Sequence, residues 1–137
     1  MAEEKKLGTN PKDLLGTDKV PLSRIPPVAI LHEGMAMGNG GDKYGSYNWR
    51  GNAVQADIYI DAAMRHILAW YDGEEVASDS GVHHLGHARA SLGILLDAQA
   101  TGNLIDNRPT GGKAAEVLEK LNATRKTYRA KQKESGK

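Results

Sequence analysis

The 137-residue sequence contains no cysteine and no phenylalanine, and its aromatic residues are five Tyr and two Trp. The absence of cysteine excludes disulfides and thiolate metal sites, so any metal has to be held by His, Asp or Glu. A core of Leu, Ile, Val, Met and Ala without Phe is thin for a monomer. The composition therefore favours burial of apolar surface in a homo-oligomer, either a dimer or a tetramer.

Long apolar runs are also missing, since none approaches the roughly 20 residues that span a bilayer. The N-terminal stretch MAEEKKLGTN is polar and charged, unlike a secretory signal. We therefore expect a soluble, intracellular protein without a membrane partner. Charge is unevenly distributed, because residues 121–137 carry six Lys or Arg against one Glu. Without interleaved aromatic residues, this basic end favours a solvated tail or frayed helix over a nucleic-acid or phosphate contact.

No segment of useful length has the two-residue period of a strand, whereas several have helical spacing, so the sequence predicts an all-α fold. We expect a small bundle of about four helices or an interdigitated dimer of hairpins. A proline-rich extended arm would precede it, because proline fixes φ and lacks an amide donor. The arm has apolar anchors at Leu14, Leu15, Val20, Leu22 and Ile25. The predicted organisation is a disordered tail over 1–8, a helical domain over 9–112, and a C-terminal amphipathic helix with a basic tail over 113–137.

The first two helices have start and stop signals. One helix is predicted to begin after Pro27 and to end in the run 39–41, because Asn-Gly-Gly favours a helix end. A longer helix is predicted over about 52–72. Asn52 can cap its start, and Gly73 can adopt the left-handed conformation past its end.

The third helix is predicted over about 82–100, with Asp79 or Ser80 as its N-cap. A fourth, amphipathic helix follows the glycine pair at 111–112. The third helix would bury a stripe made of Leu85, Ala88, Leu92, Leu95 and Leu96.

The connection between the second and third helices is rich in acidic residues and histidine. It lies within GEEVASDSGVHHLGHA, residues 73–88. Because a short connection makes neighbouring helices antiparallel, the end of one helix would meet the start of the next. Five side chains can then converge, namely His66, Glu74, Asp79, His84 and His87. The interpretation we favour is a functional cluster able to bind a divalent metal; a pH-sensitive patch, a solvated loop and a simple helix cap are the alternatives.

The stretch DKYGSYNWRG, residues 42–51, combines cations, aromatic rings and glycines. Lys43 and Arg50 can hold phosphates, the latter through two parallel hydrogen bonds. Tyr44, Tyr47 or Trp49 can stack on a base or sugar. The stretch therefore indicates a nucleoside phosphate site, with a capped turn in which Trp49 fills the core as the alternative.

Four ordered motifs resemble one phage-encoded family. They are NPKD-x-x-G-x-x-K-x-P-L from Asn10 to Leu22, KYG-x-x-NWR from Lys43 to Arg50, RH-x-x-x-W-x-x-GE from Arg65 to Glu74, and D-S-G-x-x-H-x-x-HA from Asp79 to Ala88. The family is the dATP/dGTP diphosphohydrolase family, N-terminal domain type, and the resemblance covers about residues 9–100. It implies hydrolysis of a purine deoxynucleoside triphosphate to the monophosphate and pyrophosphate, in the host cytoplasm.

The resemblance also suggests distant kinship with MazG-like pyrophosphohydrolases, which are all-α, oligomeric and Mg²⁺-dependent. Their second helix carries E-x-x-D, and here His84-x-x-His87 occupies that place. Their first motif is matched only by Asp61 to His66 followed by Glu74. Mg²⁺ prefers oxygen ligands, whereas imidazole suits Mn²⁺, Zn²⁺, Co²⁺ or Ni²⁺. The expected cofactor is therefore Mg²⁺ or Mn²⁺. Zn²⁺, Co²⁺ or Ni²⁺ is the alternative, because the predicted ligands include histidines.

These observations assign a role to each candidate residue. The metal ligands would be Glu74, Asp79, His66, His84 and His87. Catalytic carboxylates would be Glu74, Glu75, Asp79 and Asp61, which can bind metal or orient water. Substrate contacts would come from Lys43, Tyr44, Asn48, Trp49, Arg50, Arg65, Lys12 and Lys19. Two other functions stay open: a non-catalytic protein that sequesters a nucleotide, and a structural helical protein that binds a partner.

Overall fold

The structure is a computed structural model that describes residues 4–6 and 8–136. The tail predicted to be disordered, residues 1–8, includes residues 1–3 and 7, which lie outside the described part. The described chain is mostly helical, which confirms the predicted fold class. It divides into two units, residues 1–106 and residues 107–137, and each is described by itself.

The described residues of the first unit form four α-helices and a pair of two-residue strands, and those of the second form one α-helix. The bounds are α1 Pro11–Gly16, α2 Pro27–Tyr44, β1 Val54–Gln55, α3 Ala56–Tyr71, α4 His84–Thr101, β2 Leu104–Ile105 and α5 Ala114–Glu134. The two strands pair in parallel, with Val54 opposite Leu104 and Gln55 opposite Ile105. No helix of the described residues is long and apolar enough to cross a membrane.

The arm that precedes α2 was predicted to be extended, but it contains the short helix α1. Asn10 caps this helix by accepting a hydrogen bond from the amide of Lys12 at 3.0 Å, and Pro11 occupies its first turn. Proline is well tolerated there because the first amides of a helix have no intrahelical acceptor. The five apolar anchors of the arm are exposed, from Ile25 at 38% to Val20 at 79%.

Helix α2 continues through the glycines that were predicted to end it. It reaches Tyr44 and ends at Gly45, whose φ of 90° is a conformation that glycine adopts without strain. Each interior glycine costs about 1 kcal/mol relative to alanine, which packing against another helix can offset. Helix α2 packs against α4, so tertiary contact overrides the local stop signal.

Helix α3 begins four residues after Asn52, so the predicted cap is wrong. Residues 54 and 55 pair with β2 instead, and the Asn52 amide donates to the carbonyl of Asn48 at 3.0 Å. The predicted end is correct, because Gly73 has a φ of 107° just past the helix.

Helix α4 is the central helix of the first unit and contacts both α2 and α3. It runs antiparallel to α3, since the residues before α3 pair with those after α4 and the end of α3 meets the start of α4. The connection from 72 to 83 forms a small hairpin, closed by an antiparallel bridge between Val76 and His83. The predicted cap of α4 is wrong, because the His83 ring accepts from the amide of Leu85 at 3.0 Å.

The buried apolar residues of the described chain are alanines and two valines, Val54 and Val82. The predicted stripe of α4 is therefore only partly correct: Ala88 is buried, but Leu92 is 41% and Leu96 69% exposed. Close packing explains the pattern, since a Cβ added at Gly86 would lie 2.5 Å from the carbonyl oxygen of His32 on α2. Small residues bring the helices together, and the large apolar side chains are left on the outer faces.

Candidate active site

A cavity of about 680 Å³ opens within the first unit, between α2, α3, α4 and the segment that follows α2. This volume is in the range of small-molecule and cofactor sites. One part of its wall holds the imidazole, carboxylate and hydroxyl groups of His66, His87, Asp79 and Ser80. We call this part the histidine end. Another part, the loop end, consists of Lys43, Tyr44, Tyr47, Asn48, Trp49, Arg50 and Asp97.

At the histidine end, three side chains form a hydrogen-bonded chain. Glu74 Oε1 lies 2.8 Å from His84 Nε2, and His84 Nδ1 lies 2.8 Å from His66 Nδ1. A carboxylate only accepts hydrogen bonds, so His84 Nε2 donates to Glu74. The proton between the two Nδ1 atoms belongs to one ring or the other, and the arrangement in which His66 donates leaves Nε2 of neutral His66 without a proton. His84 is 5% exposed and links the surface carboxylate to a residue of the cavity wall.

A second group of contacts joins His66 to the start of α4. The rings of His66 and His87 stack with centroids 4.5 Å apart, and Ser80 Oγ lies 2.9 Å from His87 Nε2. The Ser80 hydroxyl also accepts from the amide of Val82 at 3.2 Å. The hairpin before α4 therefore holds the orientation of the His87 ring.

Burial sets the charge of the two stacked rings. It lowers the pKa of His66, and the neighbouring His87 and His84 lower it further. Burial is also the main cause that lowers the pKa of His87, against the opposing effect of Asp79. Both rings therefore favour the neutral form near pH 7, in which one nitrogen can accept a proton.

At the loop end, Asp97 on α4 binds two neighbouring residues. Trp49 Nε1 donates to Asp97 Oδ2 at 2.6 Å, and Arg50 donates through Nε at 2.8 Å and Nη2 at 2.9 Å. These bonds lower the pKa of Asp97 to about 2, with the hydrogen bond from Arg50 as the largest cause. The Asn103 amide also donates to the carbonyls of Trp49 and Arg50, at 3.0 and 2.7 Å.

The predicted site residues divide according to their place in the structure. Lys43, Tyr44, Asn48, Trp49, Arg50, His66, Asp79 and His87 line the cavity. Glu74 and His84 connect to that wall through His66. Among the described residues, Asp61, Glu75, Arg65, Lys12 and Lys19 are exposed and are not part of the lining. Their predicted roles stay predictions.

Sequence reasoning did not assign several polar residues of the lining to the site, among them Asp97, Glu33, Tyr59 and Ser80. Glu33 belongs to α2 and pairs with Arg89 Nη2 at 3.1 Å. Ser80 stands in the D-S-G motif, so its signal was present but was interpreted as a cap. Asp97 follows an apolar run on α4, and nothing in its local pattern indicates a partner 47 residues earlier.

The predicted metal set does not fit an ion in its present arrangement. Within the described residues, no three His, Asp or Glu side chains are placed to hold a metal. Both nitrogens of His84 already have partners, and His87 Nε2 has Ser80. Binding of a metal would require these side chains to break their hydrogen bonds with one another, so the metal stays a prediction.

The fold and the cavity define a helical domain in which imidazoles and an aromatic, cationic segment share one pocket. The profile of the family described as dATP/dGTP diphosphohydrolase, N-terminal, matches residues 9–108, and the chain belongs to this family. A protein of Salmonella phage PMBT28 named dATP/dGTP diphosphohydrolase is 32% identical over 92 residues, which are 67% of this chain. The chain spans only 29% of that relative's length. No solved structure gives a significant match. The suggested kinship with MazG-like enzymes stays a prediction.

Proposed function

We propose that the chain binds dATP or dGTP in the cavity and hydrolyses it to the monophosphate and pyrophosphate. Membership of the family and the name of the phage relative support this activity. The structural observation that carries it is one cavity bordered by Lys43 and three aromatic rings at one part and by His66, His87 and Asp79 at another. The rings can stack on the base and Lys43 can pair with the phosphates, whereas hydrolysis also needs the proton acceptors of the histidine end.

The proposed reaction is attack of water on the α-phosphorus. A bond forms between the water oxygen and that phosphorus, the bond to the oxygen that leads to the β-phosphorus breaks, and pyrophosphate leaves. The water proton passes to a base of the histidine end, and neutral His66 with a free Nε2 has the required lone pair. Glu74 acts indirectly, through His84 and then His66. Lys43 stabilises charge on the leaving pyrophosphate.

Metal dependence is a separate part of the proposal. The histidine end offers an ion no ready-made site, so no step above depends on one. Support comes from the family resemblance and from the substrate, whose anionic phosphate oxygens are the ligands that Mg²⁺ prefers. Mg²⁺ or Mn²⁺ would enter with the triphosphate; Zn²⁺, Co²⁺ and Ni²⁺ suit the imidazoles better.

We also propose that the chain works as a homo-oligomer, a dimer or tetramer. Support comes from large apolar side chains that lie exposed on the first unit and that association of copies would remove from water. On α3 alone Ile58, Met64 and Leu68 are each more than half exposed. Light scattering on a size-exclusion column measures the mass, and a monomer at micromolar concentration would contradict this part.

A second candidate function is nucleotide binding without hydrolysis. It is favoured by the share of the phage relative that this chain spans, 29%, because a catalytic centre can lie in the remaining length. It is also favoured by the histidines being paired with one another. This function needs the loop end and no activated water.

One experiment separates these functions. The purified protein is incubated with each of the four dNTPs and with Mg²⁺, Mn²⁺, Zn²⁺, Co²⁺ or Ni²⁺, and pyrophosphate and monophosphate are quantified. Hydrolysis of dATP and dGTP that is lost in His66→Ala supports the enzyme, and its loss in EDTA supports the metal. Tight binding with intact nucleotide recovered supports sequestration. If the protein neither binds nor hydrolyses a nucleotide, both proposals are contradicted and the structural function is left.

A further inference from the structure

We propose that Asp97 is the positioning residue of the nucleotide site: it fixes the aromatic wall formed by Tyr47 and Trp49, and it holds Arg50 in that wall, away from the phosphates. This inference rests on the proposed nucleotide function and deepens it. Asp97 lies on α4, in the first unit with the cavity that it lines.

The first support is the number and geometry of the contacts. Both carboxylate oxygens of Asp97 are used: Oδ2 accepts from Trp49 and Arg50, and Oδ1 accepts from Arg50. A bidentate arginine–carboxylate pair fixes direction as well as distance, unlike a single charge contact. The indole and the guanidinium therefore have one orientation relative to α4.

The second support is the stacking that follows from this orientation. The guanidinium carbon of Arg50 lies 4.9 Å from the centre of the Tyr47 ring. The Tyr47 and Trp49 rings lie 5.1 Å apart and are tilted by 40°. Asp97 thus fixes Trp49 directly and Tyr47 through Arg50, so one carboxylate determines the position of both rings.

The third support is backbone strain at Tyr47. It is the one non-glycine residue with positive φ among those that the structure describes, at 56°. Such a conformation costs free energy and persists where the surroundings hold it in place. The surroundings here are the Asp97 contacts and the Asn103 amide, which binds the carbonyls of Trp49 and Arg50.

The arrangement changes the role of Arg50. Its charge is paired with Asp97 and its guanidinium faces a tyrosine ring, so it is a structural part of the base-binding wall. Lys43 is then the cation of the loop end that is left for phosphates. The effect of Asp97 on binding should consequently depend on the base and not on the number of phosphates.

The test uses Asp97→Ala and Asp97→Asn in a Trp70→Phe background, where Trp49 is the sole tryptophan. Affinities for dAMP and dATP are measured by calorimetry, turnover by pyrophosphate release, and the exposure of Trp49 by acrylamide quenching. Gln99→Ala, two residues further along α4 and exposed, is the matched control. Circular dichroism checks the fold of each variant.

We expect Asp97→Ala to weaken the binding of dAMP and the binding of dATP by the same factor, about tenfold. Turnover at saturation should stay within about twofold, because the contact acts on binding and not on the reacting atoms. Quenching of Trp49 should increase. Asp97→Asn should show a smaller effect in the same direction, since its amide oxygen still accepts one hydrogen bond, and Gln99→Ala should show none.

Several results would overturn the inference. Tighter dATP binding in Asp97→Asn with unchanged dAMP binding would show that Arg50 is a phosphate ligand held back by Asp97. Unchanged affinity and quenching in both Asp97 variants would remove the positioning role. If Asp97→Ala does not fold, Asp97→Asn carries the full comparison, and Trp49→Phe, which keeps a ring but loses the hydrogen bond to Asp97, repeats the affinity measurements. If the parent protein binds no nucleotide, the proposed function fails, while the quenching measurement still decides whether Asp97 positions Trp49.

Discussion

The two ends of the cavity use hydrogen bonds of different kinds. At the loop end, a fully charged carboxylate binds a guanidinium and an indole, and its pKa is lowered to about 2. At the histidine end, the stacked rings of His66 and His87 have lowered pKa values, chiefly because they are partly buried. The comparison teaches that the carboxylate of the loop end keeps its charge throughout the neutral and mildly acidic range. The His66 and His87 rings are neutral near pH 7 and gain protons only below the ordinary histidine pKa of 6.5, so they can accept a proton at neutral pH.

The largest expected effect comes from Gly86→Ala, which should disturb the histidine end and spare the loop end. The added Cβ would lie 2.5 Å from the carbonyl oxygen and 3.1 Å from the Cβ of His32. Because that oxygen belongs to backbone, α2 and α4 have to separate, at a cost of about 3 kcal/mol. Urea denaturation measures the loss of stability, and quenching of Trp49 reports on the loop end.

Gly34→Ala is the control for this prediction. Gly34 lies on the same helix as His32, and a Cβ there would meet nothing within 4 Å. This variant should gain up to about 1 kcal/mol from helix propensity. Equal stability of the two variants would show that α2 and α4 do not approach as closely as described.

The next largest effect is expected from His84→Ala, which breaks the chain from Glu74 to His66. The variant leaves His66 Nδ1 without its partner in a half-buried place, and an unsatisfied polar group there costs about 2 kcal/mol. Hydrolysis should fall further than stability predicts, because the His66 ring loses the contact that sets its tautomer. Pyrophosphate release and thermal denaturation are measured on the same preparation. Loss of stability with full turnover would show that the chain has no part in the reaction.

The sequence predicted the histidine end better than the loop end. His66, His84 and His87 stand on two helices joined by a short connection, so helical spacing and antiparallel packing were sufficient to bring them together. The loop end depends on Asp97, which is separated from Arg50 by 47 positions. No periodicity connects residues so far apart, and their meeting is decided by how α4 packs and by the pairing of β1 with β2.

The fold shows the same limit. The four longer helices were predicted, but the short helix α1 was not. The end of α2 and the start of α3 were also misplaced, because packing on α4 and the two-residue strand pair override local signals at the run 39–41 and at Asn52. The core was also mistaken: leucine spacing predicts a large apolar stripe on α4, whereas alanine and glycine make its closest contacts. Residue size, and not apolar character alone, determines which face of a helix approaches its neighbour.

The pH dependence of stability should separate the two ends. The folded pKa values of His66 and His87 lie below the ordinary 6.5, so the unfolded chain binds protons first. Their contribution is complete above pH 6.5 and is lost as the pH falls below it. The Asp97 contribution is present above its ordinary pKa of 3.8 and is lost only as the pH falls toward 2.

Thermal denaturation in EDTA between pH 7.5 and 4.5 measures this dependence. The melting temperature should decrease from about pH 6.5 downward, and His66→Gln should reduce the slope because it removes one of the two buried rings. Asp97→Asn should lower the melting temperature by the same amount at every pH in this range. An identical slope in a variant that lacks both His66 and His87 would show that other groups cause the pH dependence.

The smallest effect is expected where a carboxylate contacts histidine outside the cavity. Glu75 Oε2 lies 3.5 Å from His83 Nε2 and its side chain is 74% exposed, whereas Glu74 lies 2.8 Å from the buried His84. Exposed ion pairs contribute little, so Glu75→Gln should change stability by less than about 0.5 kcal/mol and leave turnover unchanged.

Glu74→Gln keeps size and an acceptor oxygen but removes the charge that orients His84, so it should reduce turnover more than it reduces stability. If the two variants behave alike, neighbouring carboxylates of the hairpin are equivalent, and the chain from Glu74 through His84 to His66 has no special role at the histidine end.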